Sequence, residues 1–238
     1  MTLGRRIILT RQKQRNLAWH QSLAQAGMQV LDLPLLRFSS LEIPGEYLQR
    51  SFDWILFTSP QAVDSFLASG LMKGHTKMGA LGAGTSAALL AAGLSDDLGF
   101  SGLDGAELAR AFARKVSPPA TVLLPGALKR MADPRVTLEA AGFQAEELPL
   151  YETLPVPPSE LSADFQSTDV VFFCSPSAVK AFVEAFSARP DCVAIGETTA
   201  ALCRPYGFPT EVAETPDLNA MVRAAGCEPL TSSLENES

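Results

Sequence analysis

Short apolar runs alternate along this chain with longer stretches whose apolar positions recur at helical spacing. Arg6 to Thr10, centred on Ile7-Ile8-Leu9, reads as a short buried strand. Gln14 to Ala26 places Leu17, Leu23 and Ala26 on one helical face, with Gly27 as the stop. Val30 to Leu35 reads as the next strand. A strand, a helix and a strand of these lengths form a βαβ unit, with a right-handed crossover and parallel strands. Trp54 to Phe57 adds a strand, a helix opens after Ser59-Pro60, another strand precedes Gly82, and a helix starts near Thr85. The pattern is α/β, with helices on both faces of a doubly wound parallel sheet.

The same pattern then repeats about 115 residues later. Val30 to Leu35 after Ala26-Gly27 returns as Ala145 to Leu150 after Ala141-Gly142, and Leu23 is answered by Leu138. Phe57-Thr58-Ser59-Pro60-Gln61-Ala62-Val63 returns as Phe173-Cys174-Ser175-Pro176-Ser177-Ala178-Val179, and Gly82-Ala83-Gly84-Thr85 as Gly196-Glu197-Thr198-Thr199. The second copy repeats the strands at Thr121 to Leu124, Gln144 to Leu150 and Val170 to Phe173. A period of this length is domain-sized, which implies two similar lobes rather than a solenoid. Leu36 to Gly45 and Tyr151 to Ser159 are equivalent segments rich in proline, serine and apolar residues, and they are the candidate linkers. If both cross between lobes, residues 1–37 join 155–238 and residues 38–154 form the other lobe. A simple division at Ser117-Pro118-Pro119 competes on nearly equal terms. Two small lobes on thin linkers are expected to move and to hold a ligand between them.

Composition narrows the field. With 47% hydrophobic and 19% charged residues, the 238-residue chain can build real cores. A formal charge of −7 argues against non-specific nucleic-acid binding, while leaving room for a small anion held by local dipoles. No apolar run approaches the ~18 residues of a membrane span, and Ile7-Ile8-Leu9 is too short for a signal-peptide core, so no membrane partner and a cytoplasmic location are expected. Cys174, Cys192, Cys203 and Cys227 lack metal-ligand or redox spacing and read as reduced packing thiols. With only His20 and His75, a histidine metal site or triad is not indicated, and no cofactor is expected. A monomer is the working expectation.

Candidate chemistry lies at the strand-to-helix turns. Ser59-Pro60 and Ser175-Pro176 pair a capping hydroxyl with a proline suited to the first helical turn. The free amides behind such caps form a ready site for carboxylate or phosphate. Thr85 and Thr198-Thr199 mark two further helix starts, so hydroxyls and amides from both lobes would surround one anionic ligand. Ordinary caps are the plain structural alternative. Arg11 and Arg130 occupy equivalent turns and could each pair with a ligand carboxylate, with a surface charge or an internal ion pair as the equal alternative. Gly84 stands where the second copy has Thr198, so the first copy offers one hydroxyl fewer.

These residues also resemble a family. Ile8-Leu9-Thr10-Arg11, Phe57-Thr58-Ser59-Pro60-Gln61-Ala62-Val63, Leu124-Pro125-Gly126 with Arg130, Leu150-Tyr151-Glu152-Thr153, Ser175-Pro176-Ser177-Ala178-Val179 and Ala194-Ile195-Gly196-Glu197-Thr198-Thr199-Ala200 look like the motif series of uroporphyrinogen-III synthase, from about residue 6 to residue 225. The resemblance implies a lyase of tetrapyrrole and heme biosynthesis. It would close the linear tetrapyrrole hydroxymethylbilane into uroporphyrinogen III, inverting ring D and losing water, with no metal or organic cofactor. It further implies two α/β lobes on a two-stranded linker, which favours the discontinuous partition. Tyr151 matches a tyrosine proposed to assist departure of hydroxide, and Ser59, Thr85, Ser175 and Thr198 match positions lining the family's cleft. Asp191 stands where a family member may carry a basic residue, which leaves that contact in doubt. A non-catalytic two-lobed binder of a small anion is the alternative reading. A nucleotide enzyme is disfavoured, because no G-x-G-x-x-G follows the first strand.

Overall fold

Every residue of Trp54–Phe57 and of Asp169–Phe173 is buried. That is the signature of parallel strands covered on both faces, where no position alternates toward water. The computed structural model describes residues 5–71, 76–100, 102, 104–129 and 133–230. In chain order its elements are β1 (Arg6–Leu9), α1 (Lys13–Gln25), β2 (Gln29–Asp32), β3 (Leu36–Ser40), β4 (Trp54–Phe57), α2 (Pro60–Ala68), β5 (Lys77–Ala80), α3 (Gly82–Ala91) and α4 (Gly105–Lys115). There follow β6 (Thr121–Ala127), α5 (Pro134–Ala140), β7 (Gln144–Pro155), β8 (Asp169–Phe173), α6 (Pro176–Ala185), β9 (Asp191–Ala194), α7 (Glu197–Cys203), β10 (Thr210–Val212) and α8 (Leu218–Ala224).

The chain forms two compact units, one from the residues up to Phe38 together with those from Thr153 onward, the other from Ser39–Glu152. The chain passes between them within β3 and within β7. The first unit holds a parallel sheet in the order β10-β9-β8-β1-β2. Its residues alternate between two cores. Ile8, Val171 and Phe173 pack with α6 on one face, while Ile7, Leu9, Val170 and Phe172 pack with Leu23 and α8 on the other.

The second unit holds a sheet in the order β3-β7-β6-β4-β5, parallel from β7 to β5, with a parallel bridge from Leu81 to Phe100 beyond β5. Trp54, Leu56, Val122 and Leu124 pack there against Leu108, Phe112 and Leu138. Each sheet is a hybrid of the two sequence copies. The first takes β1 and β2 from the first copy and β8, β9 and β10 from the second. The second takes β6 and β7 from the second copy and β4, β5 and the Phe100 bridge from the first.

The sequence reading is amended first at β2 and α1. The strand expected over Val30 to Leu35 ends at Asp32, because Pro34 has no N–H to donate, and pairing resumes in β3. Helix α1 does not bury Leu17, which is 59% exposed, nor Ala26. It buries Asn16 and Leu23, seven residues apart on one face. The Asn16 amide donates to the Leu9 carbonyl at 3.1 Å, so a polar tie to the end of β1 sets the rotation of the helix.

Candidate functional site

In open α/β sheets the turns leaving the carboxyl ends of the strands carry the ligand site, because backbone amides at the following helix starts converge there. In the second unit this edge holds Ser59 after β4, Thr85 in α3 and Tyr151 in β7. Ser59 caps α2 in the expected way. Its backbone is extended, its Oγ accepts the Ala62 amide at 3.2 Å, and Pro60 fills the first helical position. Tyr151 is 6% exposed, and its phenol oxygen lies 3.2 Å from Ser59 Oγ. The Tyr151 carbonyl also accepts the Leu128 amide at 2.8 Å, just past the irregularity that β6 makes at Gly126/Ala127.

Thr85 is buried at 2% exposure and does not cap its helix. Helix α3 begins three residues earlier, where Gly82 adopts φ +75, a left-handed conformation that a side chain would strain.

In the first unit the corresponding edge holds Arg11 after β1, Ser175 after β8 and Thr198 and Thr199 in α7. Ser175 repeats the cap of Ser59: its Oγ accepts the Ala178 amide at 3.2 Å, with Pro176 next. Its remaining hydroxyl partner is Ser177 Oγ at 3.0 Å. The Arg11 guanidinium lies 4.3 Å from the Trp19 ring centroid and has no carboxylate partner among the described residues. Burial lowers its pKa, and its charge acts on the neighbouring Cys174 thiol. Burial pushes that thiol up to about 11.

Thr198 is exposed and Thr199 is 3% exposed. Neither caps α7, whose N-cap is Gly196 and whose first residue, Glu197, pairs with Arg204. A carboxylate at the head of α7 makes that end less welcoming to an anion than the heads of α2 and α6, which carry no acid in the first turn. The expectation that threonines cap these two helices is therefore corrected: the hydroxyl caps are the two serines. Arg130 lies outside the described residues.

Sequence reasoning missed three contributors at these edges. Trp19 supplies the face on which Arg11 rests. Thr10 Oγ1, fully buried, donates to the Phe172 carbonyl at 2.6 Å and ties β1 to β8. Asn16 was readable only as the residue one heptad before Leu23. Among the described residues no cluster of three His, Cys, Asp or Glu could hold a metal ion, and no helix is long and apolar enough to cross a membrane.

Residues 18–223 match the family model described as uroporphyrinogen-III synthase HemD. The chain belongs to the uroporphyrinogen-III synthase family, enzymes of the lyase class in tetrapyrrole biosynthesis. Two similar proteins are the porphyrin biosynthesis protein HemD of Ruminiclostridium josui and the chloroplastic uroporphyrinogen-III synthase of Oryza sativa subsp. japonica, each 27% identical across 92% of this chain. The chain spans 47% of the length of the first and 78% of the second. In fold it is similar to the uroporphyrinogen-III synthetase of Helicobacter pylori, with a TM-score of 0.64 and 21% identity over 93% of this chain and 98% of that one. A mutant uroporphyrinogen III synthase of Thermus thermophilus gives 0.54 and 18% over 92% and 96%.

Proposed function

We propose that the chain converts hydroxymethylbilane to uroporphyrinogen III, and that Tyr151 is its general acid. The family match across residues 18–223 carries the reaction. The buried phenol at the carboxyl edge of the second sheet supports the residue assignment. The substrate brings most of the driving force, because a pyrrole nitrogen lone pair expels the terminal hydroxyl from its methylene carbon. The C–O bond breaks and the phenolic proton goes to the departing oxygen. Water leaves, a tyrosinate remains, and the cationic azafulvene is attacked by the substituted carbon of ring D. The bond from that carbon to the ring C methylene then breaks, the methylene rejoins ring D at its free α-carbon, and the hydrogen of that carbon is lost to the phenolate as the ring regains aromaticity. The protein's main task is to hold a flexible chain in the geometry that favours this attack.

Carboxylates of the substrate are proposed to bind the free backbone amides at the heads of α2 and α6, behind the Ser59 and Ser175 caps, with Thr85, Thr198, Thr199, Arg11 and Arg130 as side-chain contacts. The proposal includes a monomer in the cytoplasm, a compartment suited to the free thiols of Cys174, Cys192, Cys203 and Cys227.

An isomer-resolved assay on freshly made hydroxymethylbilane tests the reaction. Type III product is expected, and type I alone, which forms without help, rejects the proposal. Tyr151→Phe is expected to lower turnover about 100-fold while the substrate still binds. Unchanged turnover in this variant would remove Tyr151 from the mechanism.

A further inference from the structure

Granting the synthase reading, we infer that Ser59 serves the reaction through Tyr151, as the residue that positions its phenol, rather than by gripping a substrate carboxylate. The duplication supplies an internal control. Ser59 and Ser175 occupy equivalent corners with nearly the same backbone, φ −160 and ψ 153 against φ −162 and ψ 153. Each Oγ accepts the amide three residues on at 3.2 Å. Capping therefore explains what the two serines share and nothing of how they differ.

The difference lies in the rest of the hydroxyl's bonding. At the Ser175 corner the neighbour is the exposed hydroxyl of Ser177, 3.0 Å away. Gln61 stands in the place of Ser177 in the first copy, and its amide turns away to Ser65 Oγ at 3.1 Å. Ser59 Oγ instead meets the phenol oxygen of Tyr151 at 3.2 Å. The residue equivalent to Tyr151 in the other copy is Leu36, one position after the matched Leu35 and Leu150, and it packs in an apolar core. Packing alone is thus satisfied by leucine. A buried aromatic carrying a hydroxyl costs free energy unless the oxygen finds a partner, and Ser59 Oγ stands at hydrogen-bond distance from it.

The donor inventory gives the pair a direction. A serine hydroxyl has one proton and two lone pairs, and the Ala62 amide takes one lone pair. When Ser59 donates its proton to the phenol oxygen, the phenol's own proton is the one passed to the departing hydroxyl. The tyrosinate left behind keeps a donor 3.2 Å away, itself polarised by the head of nine-residue α2. Ser59 then acts on the reacting atoms only through Tyr151.

A double-mutant cycle tests this, with kcat and KM read by the isomer-resolved assay for wild type, Ser59→Gly, Tyr151→Phe and the two combined. Glycine is a good N-cap, so Ser59→Gly removes the hydroxyl at little cost to the helix. Ser59→Gly is expected to lower kcat about tenfold, with KM within about twofold, and to have no further effect once Tyr151 is Phe. Ser59→Thr, which keeps the hydroxyl, is expected to recover most of kcat. Asp217→Ala removes the cap of α8, where the carboxylate accepts the Ala220 amide, and is expected to leave kcat unchanged. A rise in KM at constant kcat, or losses that multiply in the double variant, overturns the inference while leaving the synthase reading intact. Type I product alone from wild-type protein overturns both.

Discussion

The two units are built to one plan and differ where polar groups meet. Both sheets run second-first-third-fourth strand in the order of the repeat, and both end their third strand in a Ser-Pro cap. Both also tie the start of the third strand to the start of the first through an aspartate, but by different chemistry. In the first unit Asp169 grips the Arg6 guanidinium at 2.7 and 2.8 Å, with the carboxylate fully buried. In the second unit exposed Asp53 accepts the Thr121 amide and hydroxyl, each at 2.8 Å. Position is inherited from the duplication, whereas the donor at that position is free to change as long as the carboxylate is satisfied. The serine corners teach the same lesson, since one has acquired a phenol.

Truncating the equivalent core phenylalanines should give the largest effects. Phe57→Ala and Phe173→Ala each remove a fully buried ring, at about 3 to 5 kcal/mol. Phe173 meets two rings, Phe182 and Phe208, where Phe57 meets Phe66, so Phe173→Ala is expected to cost more. Denaturant unfolding checks this, and the reverse order would show that cavity collapse rather than ring contact sets the cost. The probes separate the units: Trp19 and all four cysteines belong to the first, Trp54 to the second. Each substitution should shift the transition reported from its own unit.

Next come the aspartate ties. Asp169→Ala leaves the Arg6 guanidinium without its buried partner and should cost about 3 kcal/mol. Asp53→Ala should cost about 1 kcal/mol, since its hydrogen bonds face water. The Thr121 amide and hydroxyl hold the Asp53 carboxyl below the ordinary aspartate value of 3.8. Its contribution is therefore complete above that pH and fades as the pH falls below it. Asp53→Asn should flatten the acid limb of stability measured from Trp54. An unchanged limb would assign acid sensitivity to other depressed carboxyls such as Glu146, held down by Arg50.

The smallest effect concerns the thiols. Burial raises Cys174 to about 11 and also raises Cys227, while Cys203 is raised by its hydrogen bond to Cys192 and by burial. Cys192 is lowered by its hydrogen bond with Cys203 but is 1% exposed, so alkylation at neutral pH should be slow in the native protein and should follow opening of the first unit only. Fast labelling of Cys174 without unfolding would show that the Arg11 corner opens on its own.

Much of this was legible in the sequence because it is local. The strands at Trp54–Phe57 and Asp169–Phe173 are apolar runs that only a two-faced sheet can bury, and the Ser-Pro caps need nothing beyond three consecutive residues and an amide. Period and motif order carried the family. Tertiary structure decided what depends on residues far apart in the chain. It joined β1 to β8 and β6 to β4, so that each sheet draws on both copies. It turned α1 to bury Asn16 instead of Leu17, because a carbonyl at the end of β1 needed a donor. It brought Ser59 to Tyr151 across 92 positions of sequence. Hydrophobic periodicity specifies which face is buried, but only the packed strands determine which hydroxyl that face will meet.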